Sequence, residues 1–192
     1  MTTLRTGVVV GALGVALSGM LVSDAVIVNL PGPEGGRAHR ADWTEVKWPF
    51  PLDQWGIGRA FRCAAAECGV EVNVYLRAKI GFCNCAEGVA DDAELDRVGD
   101  LELFSDKFHG LTGGRPITVG WMSGRSRPYN VAIPYAQPRD MVAIAFNDKC
   151  DVMVATVVAE RDQIAVAERH ALDFLNGDRV LRWAKAELGA GS

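Results

Sequence analysis

"VEVNVYLRAKI", Val70 to Ile80, alternates without a break. Val70, Val72, Val74, Leu76, Ala78 and Ile80 fall on one side. Glu71, Asn73, Tyr75, Arg77 and Lys79 fall on the other. A period of two over this length predicts a strand with one face on the core and the other in water. Such a strand suits an antiparallel sheet better than a parallel one, whose strands are apolar on both faces.

Further strands follow downstream. "RPITVGWM" (Arg115 to Met122) and "RPYNVAIP" (Arg127 to Pro134) read as two strands joined by "SGRS". "MVAIAFN" and "DVMVATVVA" are apolar runs separated only by "DKC", which predicts a buried hairpin. "DDAELDRV", from Asp91, reads as a short helix with an Asp cap and an acidic first turn. In "QIAVAERHALDFLNG" the apolar residues Ile164, Val166, Ala167, Ala171, Phe174 and Leu175 recur near helical spacing, and Gly177 stands where a C-terminal cap would. "DRVLRWAKAEL" fits a final helix capped by Asp178 or a last strand. The expected fold is α+β: a mostly antiparallel sheet of about five strands, with a C-terminal helix packed on one face.

Upstream, "DWTEVKWPFPLDQWG" carries Trp43, Trp48 and Trp55. Pro49 and Pro51 exclude a helix there. The rings are expected to plug an edge of the core rather than to form a sugar platform. "NLPGPEGGRAHRA" reads as a linker. The first 25 residues, "MTTLRTGVVVGALGVALSGMLVSDA", carry one positive charge, Arg5, then none from Thr6 to Ser23. Ser23 and Ala25 are small residues where a signal peptidase reads. The expected organisation is a signal peptide, or an uncleaved anchor, over 1–25, a flexible linker over 26–41 and one domain over 42–190. That opening implies a periplasmic or secreted location, with the membrane touched only by the N-terminal segment if it is retained.

The chain has 192 residues and a net charge of −4, from 20 basic and 24 acidic residues. This balance argues against a nucleic-acid binder driven by phosphate contacts. The apolar fraction of 49% suffices for a packed core. A domain of this size buries roughly 70% of its unfolded surface and needs no staple to fold. The five cysteines therefore need another explanation.

They are Cys63, Cys68, Cys83, Cys85 and Cys150. Disulfides are the default in an exported chain. An extended strand from Val70 to Ile80 holds its two ends about 35 Å apart. A disulfide needs Cα atoms within about 7 Å. Cys63 and Cys68 are thus expected to pair with each other, and Cys150 with Cys83 or Cys85. The same separation disfavours a four-cysteine zinc site, and no metal or cofactor is expected. One thiol of "CNC" is left over. Arg77 and Lys79, on the strand leading into Cys83, are candidate modulators, since a nearby cation lowers a thiol pKa. A cluster of Cys83, Cys85 and Cys150 would also suit disulfide exchange or a soft metal such as Cu(I).

The three histidines lack catalytic context. His39 is in the linker, His109 in the glycine-rich "KFHGLTGG", and His170 on the expected helix. "GLTGGRP" lacks the Lys-Ser/Thr pair of a phosphate loop. "SGRSRPY" places Arg125 and Arg127 in the expected turn, where they could contact an anion or an acidic partner.

"WPFPLDQWGIGRAFRC", "IGFCNC" and "FNDKCD" together resemble an uncharacterised group of exported proteins of alphaproteobacteria. The resemblance implies export, and no activity or catalytic residue comes with it. The reading is an exported, disulfide-stabilised binding or accessory domain of the bacterial envelope. Its partner would be another protein or an envelope ligand. The alternative is a thiol redox or soft-metal protein using Cys83, Cys85 and Cys150.

Overall fold

The structure, a computed structural model, describes residues 41–189. The expected signal peptide or anchor over 1–25, the expected linker apart from Ala41, and His39 lie outside the described residues.

The alternating stretch forms β3, Val72–Lys79. It is the third strand of an antiparallel sheet with β1 (Trp43–Val46), β2 (Arg59–Cys63), β4 (Phe108–Gly110), β5 (Arg115–Val119), β6 (Met122–Val131), β7 (Arg139–Asp148) and β8 (Asp151–Val158). The order is β1-β2-β3-β8-β7-β6-β4, with β5 also on β6. Eight strands thus replace the five expected. The extra ones, β1, β2 and β4, have four, five and three residues. They are too short to carry a periodic signal, and pairing with longer neighbours creates them.

The turn before β6 also differs. "SGRS" (Ser123 to Ser126) lies inside β6, and the chain reverses at Gly120–Trp121, between the paired Val119 and Met122. Gly120 supplies a positive φ of 59°, as a two-residue hairpin turn requires. Gly124 marks a close approach of backbones instead of a turn. A Cβ there would stand 2.6 Å from Phe146 Cα. The β7–β8 hairpin turns at Lys149–Cys150, as "DKC" suggested.

α3 (Ile164–Leu175) and α4 (Asp178–Gly189) cover one face of the sheet. Ala167, Ala171 and Leu175 of α3 and Val180, Ala184 and Leu188 of α4 pack on Val72, Val74, Leu76, Ile144, Met153 and Val157. The ambiguous last segment is therefore helical. Asn176 ends α3, and the Gly177 carbonyl accepts the N–H groups of Val180 and Leu181. Gly177 opens α4, and Asp178 is its first helical residue rather than its cap.

The opposite face was expected in water, and it is covered. α2 (Asp92–Val98) and the 3-10 turn Leu101–Leu103 bring Leu95, Val98 and Leu101 onto Tyr129, Met141, Ala143, Val152 and Val154. The Asp91 carboxylate caps α2 by accepting the Glu94 N–H at 2.8 Å. Arg77 and Lys79 are each only 4% exposed, whereas Ile80, on the apolar side, is 48% exposed. The tryptophans pack at the margins of both layers. Trp43 stacks on Phe174 at 4.5 Å. Trp48 meets Phe50 and Tyr75 edge to face.

Candidate functional site

The alternation of β3 sends Arg77 and Lys79 under the α2 layer, where charged groups must be compensated. Asp100, just past the end of α2, supplies the compensation. Arg77 Nε donates to Asp100 Oδ2 at 2.6 Å and Nη2 to Oδ1 at 2.7 Å. Lys79 Nζ lies 2.8 Å from Asp100 Oδ1 and donates to the carbonyls of Val98 (2.7 Å) and Gly99 (3.2 Å). Two buried cations thus share one buried carboxylate. The remaining Arg77 donor, Nη1, reaches both oxygens of Asp53 at 2.8 Å. Asp53 sits on the loop between β1 and β2, and its side chain is 36% exposed against 5% for Arg77.

The electrostatics follow this wiring. Burial, the largest influence on Lys79, lowers its pKa, and the attraction of Asp100 offsets only part of that. Burial also opposes the charge on Arg77, but hydrogen bonds to Asp100 and Asp53 leave its pKa raised. Asp53 is lowered: burial works against it, and hydrogen bonds from Arg77 and the Trp55 N–H outweigh burial.

A cleft of about 440 Å³ opens beside these groups. Trp55 and Phe82 form an aromatic wall, with ring centroids 4.4 Å apart. Lys79 Nζ lies 5.6 Å and 5.4 Å from the two rings, and the Arg97 guanidinium 4.7 Å from Phe82. The cleft therefore combines ring faces, cations and the exposed carboxylates of Asp53 and Glu102, which are groups for holding a small polar molecule. A larger hollow of about 710 Å³ lies at the other end of β3, between Glu71, Arg139 and Arg161. Its charged walls are all exposed, so it lacks the buried charges that distinguish the first.

The cysteines divide between the two layers, Cys63 and Cys68 in the core under α3 and α4 and Cys83 in the core under α2. Cys63 and Cys68 are joined across the short helix α1 (Ala65–Cys68), with Cα atoms 6.1 Å apart. Cys85 and Cys150 are joined with Cα atoms 4.2 Å apart, tying the loop after β3 to the β7–β8 turn. Cys83 is free and buried. Its N–H donates to the Cys150 carbonyl at 3.1 Å and its thiol to the Lys149 carbonyl at 3.2 Å. Burial, aided by the Glu94 and Asp151 charges, pushes the thiol up to about 11. The expected modulation by Arg77 and Lys79 is corrected here. Both are held by Asp100, and the cation that acts on Cys83 is Arg97, too weakly to reverse burial. Among the described residues no group of three or more His, Cys, Asp or Glu side chains is placed to hold a metal ion.

Arg125 and Arg127, expected in a turn, lie in the middle of β6. Arg125 pairs with Asp92 and donates to the carbonyls of Gly114 (2.9 Å) and Ala90 (3.2 Å). Arg127 donates to the Thr112 carbonyl at 2.8 Å and pairs with Asp96 at 3.3 Å. Their anions are thus the protein's own, and they fasten α2 and the loop before β5 to the sheet. His109 is exposed on β4 and His170 half-buried on α3, neither near the cleft residues.

Sequence reading missed Asp53, Asp100, Phe82 and Arg97 as one constellation. The signal available was the pair of basic residues at alternate positions on the polar side of the strand. Nothing local marked which acids would answer them.

No protein-family model matches this chain, and no curated protein matches it. Among solved structures it is similar to the crystal structure of LpqN, involved in cell envelope biogenesis of Mycobacterium tuberculosis. The identity is 13%, over 70% of this chain and 82% of that one, with a TM-score of 0.36. A likeness this distant transfers no role.

Proposed function

We propose that this chain is an exported, disulfide-stabilised domain of the bacterial envelope that binds a ligand or partner and performs no catalysis. Export rests on the charge and hydropathy pattern of the first 25 residues. Two disulfides fit an oxidising, extracytoplasmic compartment. The observation that carries the binding reading is the cleft over Arg77 and Lys79. It offers the Trp55 and Phe82 rings beside charged groups that already hold each other. A buried lysine bonded to three oxygens has no free lone pair to act as a base or nucleophile. The same groups are well suited to rigid recognition.

Thiol redox or soft-metal chemistry at Cys83, Cys85 and Cys150 is the other reading. The Cys85–Cys150 bridge takes two of its three thiols, and burial disfavours the thiolate of the third. The balance therefore lies with binding.

The test is a nuclear magnetic resonance titration of the full chain, purified oxidised from an exporting host. Neutral sugars, amino acids, aromatic alcohols and small acids are added in turn. At least one class should shift the Trp55 indole and the amides of Phe82 and Arg97. If no class perturbs these signals, the cleft is not a binding site and the proposal fails.

A further inference from the structure

The buried groups of the cleft carry a charge imbalance that the exposed Asp53 corrects, with Glu102 a second exposed carboxylate on the wall. Arg77 and Lys79 are buried, with side chains about 5% exposed, and Asp100 is the single buried carboxylate beside them. One positive charge is left over. A buried charge without a counter-ion costs several kcal/mol, so an anion must stand at Arg77 Nη1. Asp53 fills that position from the cleft mouth. The aromatic residues of its loop are anchored, Trp48 and Phe50 on Tyr75 and Trp55 on Phe82, whereas Asp53 itself has few other ties. Asp53 Oδ1 also accepts the Trp55 N–H at 2.8 Å, and a lone bridge joins Asp53 to Gly56. The neighbouring Leu52 and Ile57 are 71% and 67% exposed and pack on little.

Resting on the binding reading above, we propose that the cleft takes a small carboxylate with a planar, apolar body, and that Asp53 is its built-in competitor. The ligand carboxylate would replace the Asp53 carboxylate on Arg77 Nη1. Guanidinium donors favour that partner over a neutral one. The body of the ligand would lie against Trp55 and Phe82, with Arg97, itself paired with Glu94, at the rim. The exchange keeps the net charge of the buried set unchanged, so it avoids the cost of stripping Arg77 bare. A neutral ligand cannot displace Asp53 in this way. A tethered competitor acts at an effective concentration set by its short loop, so it weakens an incoming anion without any contact of its own to that anion.

The test uses benzoate as the probe and benzyl alcohol as its neutral counterpart, on the oxidised full chain and on Asp53→Asn. Benzoate should shift the wild-type Trp55 amide, which loses its Asp53 partner. It should bind Asp53→Asn at least about tenfold more tightly, because the competitor is gone. It should also raise the melting temperature of that variant more than that of wild type, and benzyl alcohol should bind both alike. If Asp53→Asn does not fold, Asp53→Ser and the wild-type Trp55 amide carry the comparison. Benzoate that leaves the wild-type amide unmoved, or that binds wild type and variant equally, overturns the proposal. Neutral probes that bind the cleft while benzoate does not would overturn this inference alone. Silence from every probe would overturn the binding reading as well.

Discussion

Arg77 and Asp100 meet through two parallel hydrogen bonds, Nε to Oδ2 at 2.6 Å and Nη2 to Oδ1 at 2.7 Å, beneath the α2 layer. The side chains are 5% and 4% exposed. Fork-to-fork pairing of this kind is directional, so it sets where the end of α2 sits on the strand. Lys79 shares the same carboxylate, which makes Asp100 the hub of the set.

Asp100→Asn should therefore cost about 3–5 kcal/mol, since it leaves two buried cations facing Asp53 alone. Urea unfolding of the oxidised protein measures this. A loss under about 1 kcal/mol, the size of an exposed pair, would mean that water reaches these groups freely.

Gly124→Ala tests the register of the sheet. The new methyl would run into the Ala145 carbonyl and stand 2.6 Å from Phe146 Cα. These are backbone atoms and cannot turn aside, so a loss of about 3 kcal/mol or more is expected. Gly113→Ala is the control, because a Cβ there meets nothing within 4 Å. Equal melting temperatures for the two variants would contradict the close β6–β7 approach.

The two disulfides should differ in weight. Cys85 and Cys150 are 65 residues apart, Cys63 and Cys68 only 5. On the loop-entropy argument the first is worth about 4 kcal/mol and the second about 2 kcal/mol. Replacing each pair by serines and comparing chemical denaturation gives the order. A larger loss from the short bridge would show that native-state contacts outweigh loop entropy here.

Cys83 makes a prediction about pH. Its folded pKa is about 11, above its ordinary 9.0, so the unfolded chain releases this proton first as pH rises. The contribution to stability is full below about pH 9 and falls between 9 and 11. Tyr129, raised by burial and by its bond to Asp96, adds a loss of the same sign above its ordinary 10.0. Cys83→Ala should fall less steeply with pH than wild type, the Tyr129 part being common to both. Iodoacetamide at pH 8 should leave the folded protein unlabelled and mark one thiol after unfolding in urea. Rapid labelling of the folded protein would contradict the burial of this thiol and reopen the redox reading.

Much of the sheet was legible because long strands announce themselves. β3, β7 and β8 carry enough alternating or continuous apolar residues to be read directly. The "DKC" turn needs no partner to be recognised. The short strands β1, β2 and β4 exist only through their neighbours. In β6, Gly124 and its neighbours in "SGRS" read as a turn. Gly124 is there because β7 passes too close for a side chain, and that contact spans more than twenty residues of chain.

The site follows the same division. The local order of residues determined that Arg77 and Lys79 share one side of a strand, and that Cys63 could reach Cys68 but not Cys83 or Cys85. These are consequences of backbone geometry, which acts between near neighbours. Only the tertiary structure decided that the charged side of β3 lies under a helix instead of in water. It alone chose Asp100 and Asp53 as the counter-ions, and Cys85 rather than Cys83 as the partner of Cys150. The acids and the bridge stand some 23 to 65 residues from their partners. At that separation only the packed layers, which bury one polar group against another, determine which residues meet.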